Sequence, residues 1–144
     1  MTKFLFLFCY AIATIPDGNG SKLTIRFEGI EKAGGTVRLA MYSSKADFML
    51  EEKAVLYNFK VDKIGSLVAT IENLSNGSHA FAVFLDENNN QQLDKNLIGV
   101  PTEPYGFSKD PPSKWRLPTW DEVKFEHGQS GKVLVVNLKR WALF

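Results

Sequence analysis

Cysteine is nearly absent from this chain: of 144 residues only Cys9 is one, and it lies close to the N-terminus. A domain without further cysteine has no disulfide framework and no thiolate metal ligands, a composition that suits an oxidising compartment. Histidine is almost as scarce. His79 and His127 are the two present, and neither has a second imidazole at ligand spacing, so no zinc signature arises. Clusters of Lys and Arg are missing apart from the Lys139-Arg140 pair, which argues against nucleic acid as a partner. Also missing are a phosphate-cradling glycine loop and a nucleophile-elbow glycine pattern. The expectation is therefore a protein that is not an enzyme.

Long apolar runs are lacking too. Residues 4–12 form one unbroken apolar or aromatic stretch after Lys3, followed by the small-x-small triplet Ala11-Ile12-Ala13. That stretch falls short of the roughly 20 residues a spanning helix requires and has the layout of an export leader. Residues 1–13 are read as a cleaved signal peptide whose boundary could extend to about residue 20, and residues 21–144 as one domain. The expected location is periplasmic or extracellular, with no transmembrane segment after leader removal. Of 17 basic residues the leader takes Lys3, which leaves the mature chain balanced against its 16 acidic ones. No net field steers it to polyanions.

Period-two alternation is the dominant pattern. Leu23, Ile25 and Phe27 alternate with Lys22, Thr24, Arg26 and Glu28, and Val37, Leu39 and Met41 repeat the pattern over residues 36–42. These two strands, separated by a glycine-bearing turn, are expected to pair as a hairpin. Residues 43–52 break the alternation and suit a short helix or a turn-rich crossover. Further strands are expected at 54–61, 67–71, 79–85, 122–126 and 132–138, with Asn76-Gly77 as a turn signal. About seven short strands imply an all-β fold, a single antiparallel β-sandwich of immunoglobulin-like or prealbumin-like kind, with at most one short helix.

One segment does not fit that rhythm. Residues 86–121 hold five of the six prolines, three consecutive asparagines and no period. Loops of such length are mostly functional or disordered. Leu97, Ile98, Val100, Tyr105, Phe107, Trp115, Leu117 and Trp120 supply more apolar surface than disordered chains carry. Aromatic packing onto the sandwich, a bound cation, or both must hold the segment in place.

Asp86, Asn88, Asn90 and Asp94 stand at relative positions 1, 3, 5 and 9, and the Gln92 carbonyl falls at position 7. A coiling loop with that spacing turns alternate oxygens to one centre, where Ca2+ takes six to eight of them. Position 6, where the chain turns sharply, is Gln91 in place of glycine, and position 12 is Leu97 in place of a bidentate glutamate. Such a site would bind Ca2+ weakly and structurally. Equally, asparagines that cap their own turns and accept left-handed backbone give the same pattern with no ion.

Residues 74–108 carry a longer signature: Leu74-x-x-Gly77, then Ala80-x-Ala82-Val83-Phe84-x-Asp86-Glu87-Asn88-x-Asn90-x-x-Leu93-Asp94-x-Asn96, then Gly99-x-Pro101-x-Glu103-x-Tyr105-Gly106-Phe107-Ser108. With residues 117–125 it resembles a bacterial exported family catalogued as domain of unknown function 2141. The resemblance implies a leader-bearing single β-domain, periplasmic or surface-associated, and adds no catalytic residue. This chain departs from the family habit at Gln91, where glycine is frequent, and at His79, where an aromatic is common.

The functional expectation is a secreted or periplasmic binding or scaffolding module. Its partner would be an envelope protein, a peptide or a glycan. Glu103, Tyr105, Phe107, Trp115 and Trp120 are candidate ligand-binding residues, although large aromatics in long loops more often pack inward. His79 is expected to be satisfied or edge-exposed, and His127 to lie in a turn. Two alternatives stand beside this reading. One is a carbohydrate-active hydrolase using Glu103 with Asp86 or Asp94 as acid and base; the other is a surface-assembly subunit docking through an edge strand or its loop aromatics.

Overall fold

The computed structural model describes residues 20–128 and 132–141; the leader expected over residues 1–13 lies outside them. Among the described residues eight strands form, in chain order: β1 Ser21–Ile30, β2 Thr36–Tyr42, β3 Val55–Lys60, β4 Gly65–Leu74, β5 Gly77–Asp86, β6 Tyr105–Phe107, β7 Phe125–His127 and β8 Val133–Asn137. A short helix, α1 Trp120–Val123, precedes β7, and a 3-10 turn spans Glu51–Lys53. The strands make a three-stranded sheet in the order β4-β1-β8 and a five-stranded sheet in the order β3-β2-β5-β6, with β7 also on β5. The result is the expected all-β, sandwich-like fold with one strand more than the pattern suggested. One pair, β1 with β8, runs parallel.

The apolar residues of each alternating strand meet between the sheets. Leu23, Ile25 and Phe27 of β1 face Val37, Leu39 and Met41 of β2 and Phe81, Val83 and Leu85 of β5, all buried in one cluster. Each large side chain removed from water there stabilises by about 1.5–3 kcal/mol.

The expected β1–β2 hairpin does not form. β1 pairs with β4 and β8, whereas β2 pairs with β3 and β5. The connection between them is a corner that carries the chain from one sheet to the other. Gly29 has φ +81°, and a Cβ there would lie 2.4 Å from the Leu138 carbonyl oxygen, so backbone passes where any other residue would put a side chain. The Asn76-Gly77 turn is a crossover of the same kind, joining β4 in one sheet to β5 in the other.

Two further expectations change near the C-terminal end. Residues 120–123 are helical where a strand over 122–126 was expected, because Glu122 reaches back to accept the Thr119 N–H at 2.8 Å and starts a helical turn. His127 lies in β7, buried, and not in a turn. Its Nε2 is 2.9 Å from the Ser21 hydroxyl.

His79 is 1% exposed and fully satisfied. Its Nε2 is 2.7 Å from the Ser75 carbonyl and so carries the proton, and Nδ1 accepts from the Ser43 hydroxyl at 3.0 Å. Burial pushes its pKa below the ordinary 6.5, the nearby His127 adds to this, and the Ser75 carbonyl and Glu126 partly offset it. A depressed folded pKa contributes stability that is whole above the unfolded value and is lost as pH falls through the folded one. The urea midpoint is expected to drop between pH 7.5 and 5.5, and His79→Gln to flatten that slope. A parent midpoint that does not change over this range would refute the buried neutral imidazole.

Candidate functional site

The five-stranded sheet has a second face, opposite the main core, and it is covered over only part of its length. Arg38, Ala40 and Tyr42 of β2 point that way, as do Ala80, Ala82 and Phe84 of β5. At the Tyr42–Ala80 end, Trp120 and Val123 of α1 and Phe107 of β6 close over the sheet as a second apolar cluster, with Phe48 packed against them. Phe48 meets Tyr42 and Trp120 edge-on, with ring centroids 5.5 and 5.8 Å apart.

β6 is positioned by two small residues. Gly106 faces β8, where a Cβ would lie 3.2 Å from Val136 Cγ1 and 3.3 Å from the Asn137 carbonyl oxygen. Ser108 is buried. Its hydroxyl donates to the Val123 carbonyl at 2.6 Å and accepts the Phe81 N–H at 3.1 Å, locking the long segment to β5.

Beyond that cluster the same sheet face is open, and a cleft of about 640 Å3 lies over it. Ala40 and Ala82 are directly opposed across β2 and β5, which keeps the floor low. Leu56 and Asn58 of β3, Phe84 and Tyr105 stand around them. One wall is the loop carrying Gln91, Leu93, Lys95 and Pro101, and the other carries Lys114, Trp115, Arg116 and Leu117. Trp115 is 80% exposed and meets Trp141 edge-on at 5.4 Å, with the Lys114 ammonium 5.4 and 5.3 Å from the two ring centres.

The asparagine-aspartate loop forms the base of the first wall. Asp86 is completely buried. Its Oδ2 accepts from Arg38 Nε at 2.6 Å and from the Gln91 N–H at 2.8 Å, and its Oδ1 accepts from the Asn90 N–H at 3.2 Å. Asn88 and Asn90 both donate side-chain amides to Asp94, at 2.6 Å each. Their oxygens accept backbone N–H groups two residues on, from Asn90 at 3.3 Å and from Gln92 at 3.0 Å. The Asn88, Asn90 and Asp94 side chains thus meet, while the Asp86 carboxylate is turned to Arg38 and to the N–H groups of Asn90 and Gln91. In this arrangement Arg38 provides the positive charge beside Asp86.

Gln91 has φ +67° and Asn89 φ +55°. The sharp turn at position 6 forms even though glutamine stands in the place that suits glycine. Left-handed backbone costs an L-residue roughly 1–2 kcal/mol, and glycine's larger unfolded-state entropy offsets part of this. Gln91→Gly is accordingly expected to raise stability by about 0.5–1 kcal/mol. An unchanged or lower urea midpoint would contradict the strain.

Glu103 is buried and serves the same loop. Its two oxygens accept the N–H groups of Glu87 and Asp94, both at 3.0 Å. Burial raises its pKa above the ordinary carboxylate value, those two N–H groups pull it back, and Asp94 and Asp86 push it up further. The remaining candidates separate. Trp115 and the half-buried Tyr105 line the cleft, Phe107 borders it but is buried in the second cluster, and Trp120, 7% exposed, belongs to that cluster alone. Among the described residues no group of three or more His, Cys, Asp or Glu could hold a metal ion.

Residues 25–134 match the family described as uncharacterized protein conserved in bacteria, domain of unknown function 2141. The chain belongs to that family. The matched span begins in β1 and ends in β8, so both sheets, the loop and most of the cleft fall within it. No curated protein and no solved structure matches the chain.

Several cleft residues carried no signal that pattern reading could use. Arg38 looked like any outward charge in an alternating strand, and Ala40 and Ala82 like ordinary small residues. Their meaning comes from the β2–β5 register. Trp141 is distant in sequence from Trp115 and gave no hint of the pairing.

Proposed function

We propose that this protein is an exported β-sandwich binding module that takes its ligand in the cleft over the outer face of the five-stranded sheet. The observation carrying this reading is the low floor made by opposed Ala40 and Ala82 between two ordered loop walls. A cleft of about 640 Å3 is within the range of small-molecule sites, which are mostly apolar with a few placed polar groups. Exposed Trp115 and Leu117 at its rim are surface that a ligand would cover.

Nile red, a neutral apolar dye, tests the cleft without presupposing its natural ligand. Binding of one dye per folded chain is expected, with strong loss in Ala82→Trp and no loss in Val68→Thr on the other sheet. Leu117→Asp provides a rim variant that leaves the floor intact. Dye binding that ignores both cleft variants would overturn the proposal.

A second reading concerns the wall. The meeting of Asn88, Asn90 and Asp94 side chains at 2.6 Å supports a weak structural Ca2+ site, since rotating the two amides would turn their oxygens toward the same point. The Arg38 charge beside Asp86 works against affinity there. At ten times its dissociation constant Ca2+ would add about 1.4 kcal/mol, a rise of several degrees in melting temperature. Identical melts in calcium and in chelator would leave the hydrogen-bonded turn as the whole account.

A further inference from the structure

A strand at the end of a sheet leaves half of its backbone N–H and C=O groups unpaired, and folded proteins ordinarily bend, charge or cover such edges. The three-stranded sheet ends on β4, whose register with β1 slips twice, between Ser21 and Leu23 and between Phe27 and Ile30. Bulges of this kind twist an edge away from a neighbour. At one end of the five-stranded sheet β6 is joined to the chain after β8, where Tyr105 and Lys139 exchange backbone hydrogen bonds of 3.0 and 3.1 Å. β3, at the other end, has neither protection.

β3 is regular and largely apolar. Its pairing with β2 runs unbroken from Thr36 opposite Lys60 to Met41 opposite Val55, and Val55-Leu56-Tyr57-Asn58-Phe59-Lys60 holds no proline, no glycine and one charge. On its free side no backbone hydrogen bond to another segment forms among the described residues. Val55 and Leu56 are exposed, as are Leu50 shortly before the strand and Ile64 shortly after it. A row of unpaired backbone groups specifies the chemistry of its occupant, which is another strand.

The distribution of charge says which strand. Glu51, Glu52 and Lys53 leave the start of β3 net negative, whereas Lys60, Asp62 and Lys63 leave its end net positive. None of the six is in an ion pair among the described residues. Two copies laid antiparallel bring each negative end to a positive one, and laid parallel they bring like to like. The antiparallel arrangement is also the self-closing contact of a two-fold dimer.

We propose that two copies of this chain associate through β3, antiparallel about a two-fold axis at Tyr57, so that two five-stranded sheets become one. In that register Tyr57 meets Tyr57 of the second copy and Val55 meets Phe59, on the face where Tyr57 and Phe59 already pack against the core. Aromatic and β-branched cross-strand pairs of this kind are the ones sheets favour. On the outer face Leu56 meets Asn58, and a register one pair further along would set Leu56 against the Lys60 ammonium instead. Leu56 and Asn58 both line the cleft, so the clefts of the two copies join across the seam.

Sedimentation of the full chain over a concentration series tests the contact. The average mass is expected to climb from that of one 16.2 kDa chain toward that of two. A dissociation constant of about 1–100 µM suits a contact smaller than a standard interface. Leu56→Lys, a charge placed on the exposed edge, is expected to abolish association over the series while leaving the urea midpoint at high dilution unchanged. Glu52→Lys alone and Lys60→Glu alone make the two ends alike in sign and should each weaken association, and the two together, which reverse both ends, should restore it. In a Cys9→Ser background, Tyr57→Cys is expected to oxidise to a linked dimer at least about 10-fold faster than Asn58→Cys, because residues on the axis come within the Cα separation a disulfide spans.

A chain that stays monomeric throughout, a dimer indifferent to Leu56→Lys, charge variants that fail to compensate, or equal oxidation of the two cysteine variants overturns the proposal. If the chain is monomeric and a six-residue peptide of alternating valine and threonine binds it, with loss in Leu56→Lys, the edge takes a foreign strand and the self-pairing fails.

Discussion

Arg38→Leu is expected to destabilise the protein by about 3–5 kcal/mol, because it strands a carboxylate that has no access to water. Asp86 is fully buried, and among the described residues the Arg38 guanidinium is the cation paired with it, at 2.6 Å. Removing the cation leaves a buried charge that two backbone N–H groups cannot compensate alone. For a chain of this size the loss corresponds to a melting temperature lower by roughly 10–20 °C. The double variant Arg38→Leu with Asp86→Asn should recover part of it, since no charge remains and the amide oxygen can still accept one of the two backbone N–H groups, from Asn90 or Gln91. A double-mutant cycle by urea denaturation measures the coupling. An Arg38→Leu protein within about 1 kcal/mol of the parent would show that Asp86 needs no partner, and would reopen its carboxylate for a cation.

The two loop tryptophans should behave in opposite ways. Trp120→Ala is expected to cost about 3–5 kcal/mol, the range for a large aromatic deleted from a packed site. It is 7% exposed and supports Phe48, Val123 and Phe107 over the outer face of β2 and β5. Trp115→Ala is expected to lie within about 0.5 kcal/mol of the parent, as exposed substitutions do, and to weaken Nile red binding instead. Urea denaturation of the two variants side by side is decisive. Equal destabilisation would mean that Trp115 is packed as Trp120 is, and is not available to a ligand. The Trp120→Ala protein, if folded, should also bind dye less well, because α1 anchors the segment that carries the second wall.

These expectations depend on features of unequal legibility. The alternation of Leu23, Ile25 and Phe27, or of Phe81, Val83 and Leu85, could be read directly because a strand's side chains have a period of two and one face must leave water. Left-handed backbone was expected of the asparagines and occurs at Asn89, whereas Gln91, read as a departure from the loop pattern, adopts it as well. The convergence of Asn88, Asn90 and Asp94 was visible too, since those side chains meet within a few residues of one another. The Arg38 partner of Asp86 was not, because 48 positions separate them and many outward charges in a strand look the same.

The hairpin between β1 and β2 shows the other limit. Alternation says which side chains face inward, and it says nothing about which strand is the neighbour. A short turn-rich link serves a hairpin and an inter-sheet corner equally well. The backbone passage at Gly29 and the pairing of Val61 with Gly34 and Gly35, at 2.8 and 3.0 Å, settle it in favour of the corner. The helical turn at Trp120–Val123 escaped for a related reason: four residues hold too little periodicity to outweigh β-prone Val123 and Phe125, and the Thr119–Glu122 bond decides the local conformation.

From the amino-acid order alone came the all-β class, most of the strand positions, the ordered long segment and the family, because each is written in local periodicity or in a contiguous motif. The tertiary structure decided which strands are neighbours, which carboxylate has a buried cation, which tryptophan packs inward and where the open cleft lies. Those properties depend on side chains that meet only after the two sheets close, and the free energy of their meeting is not carried by any short stretch of chain.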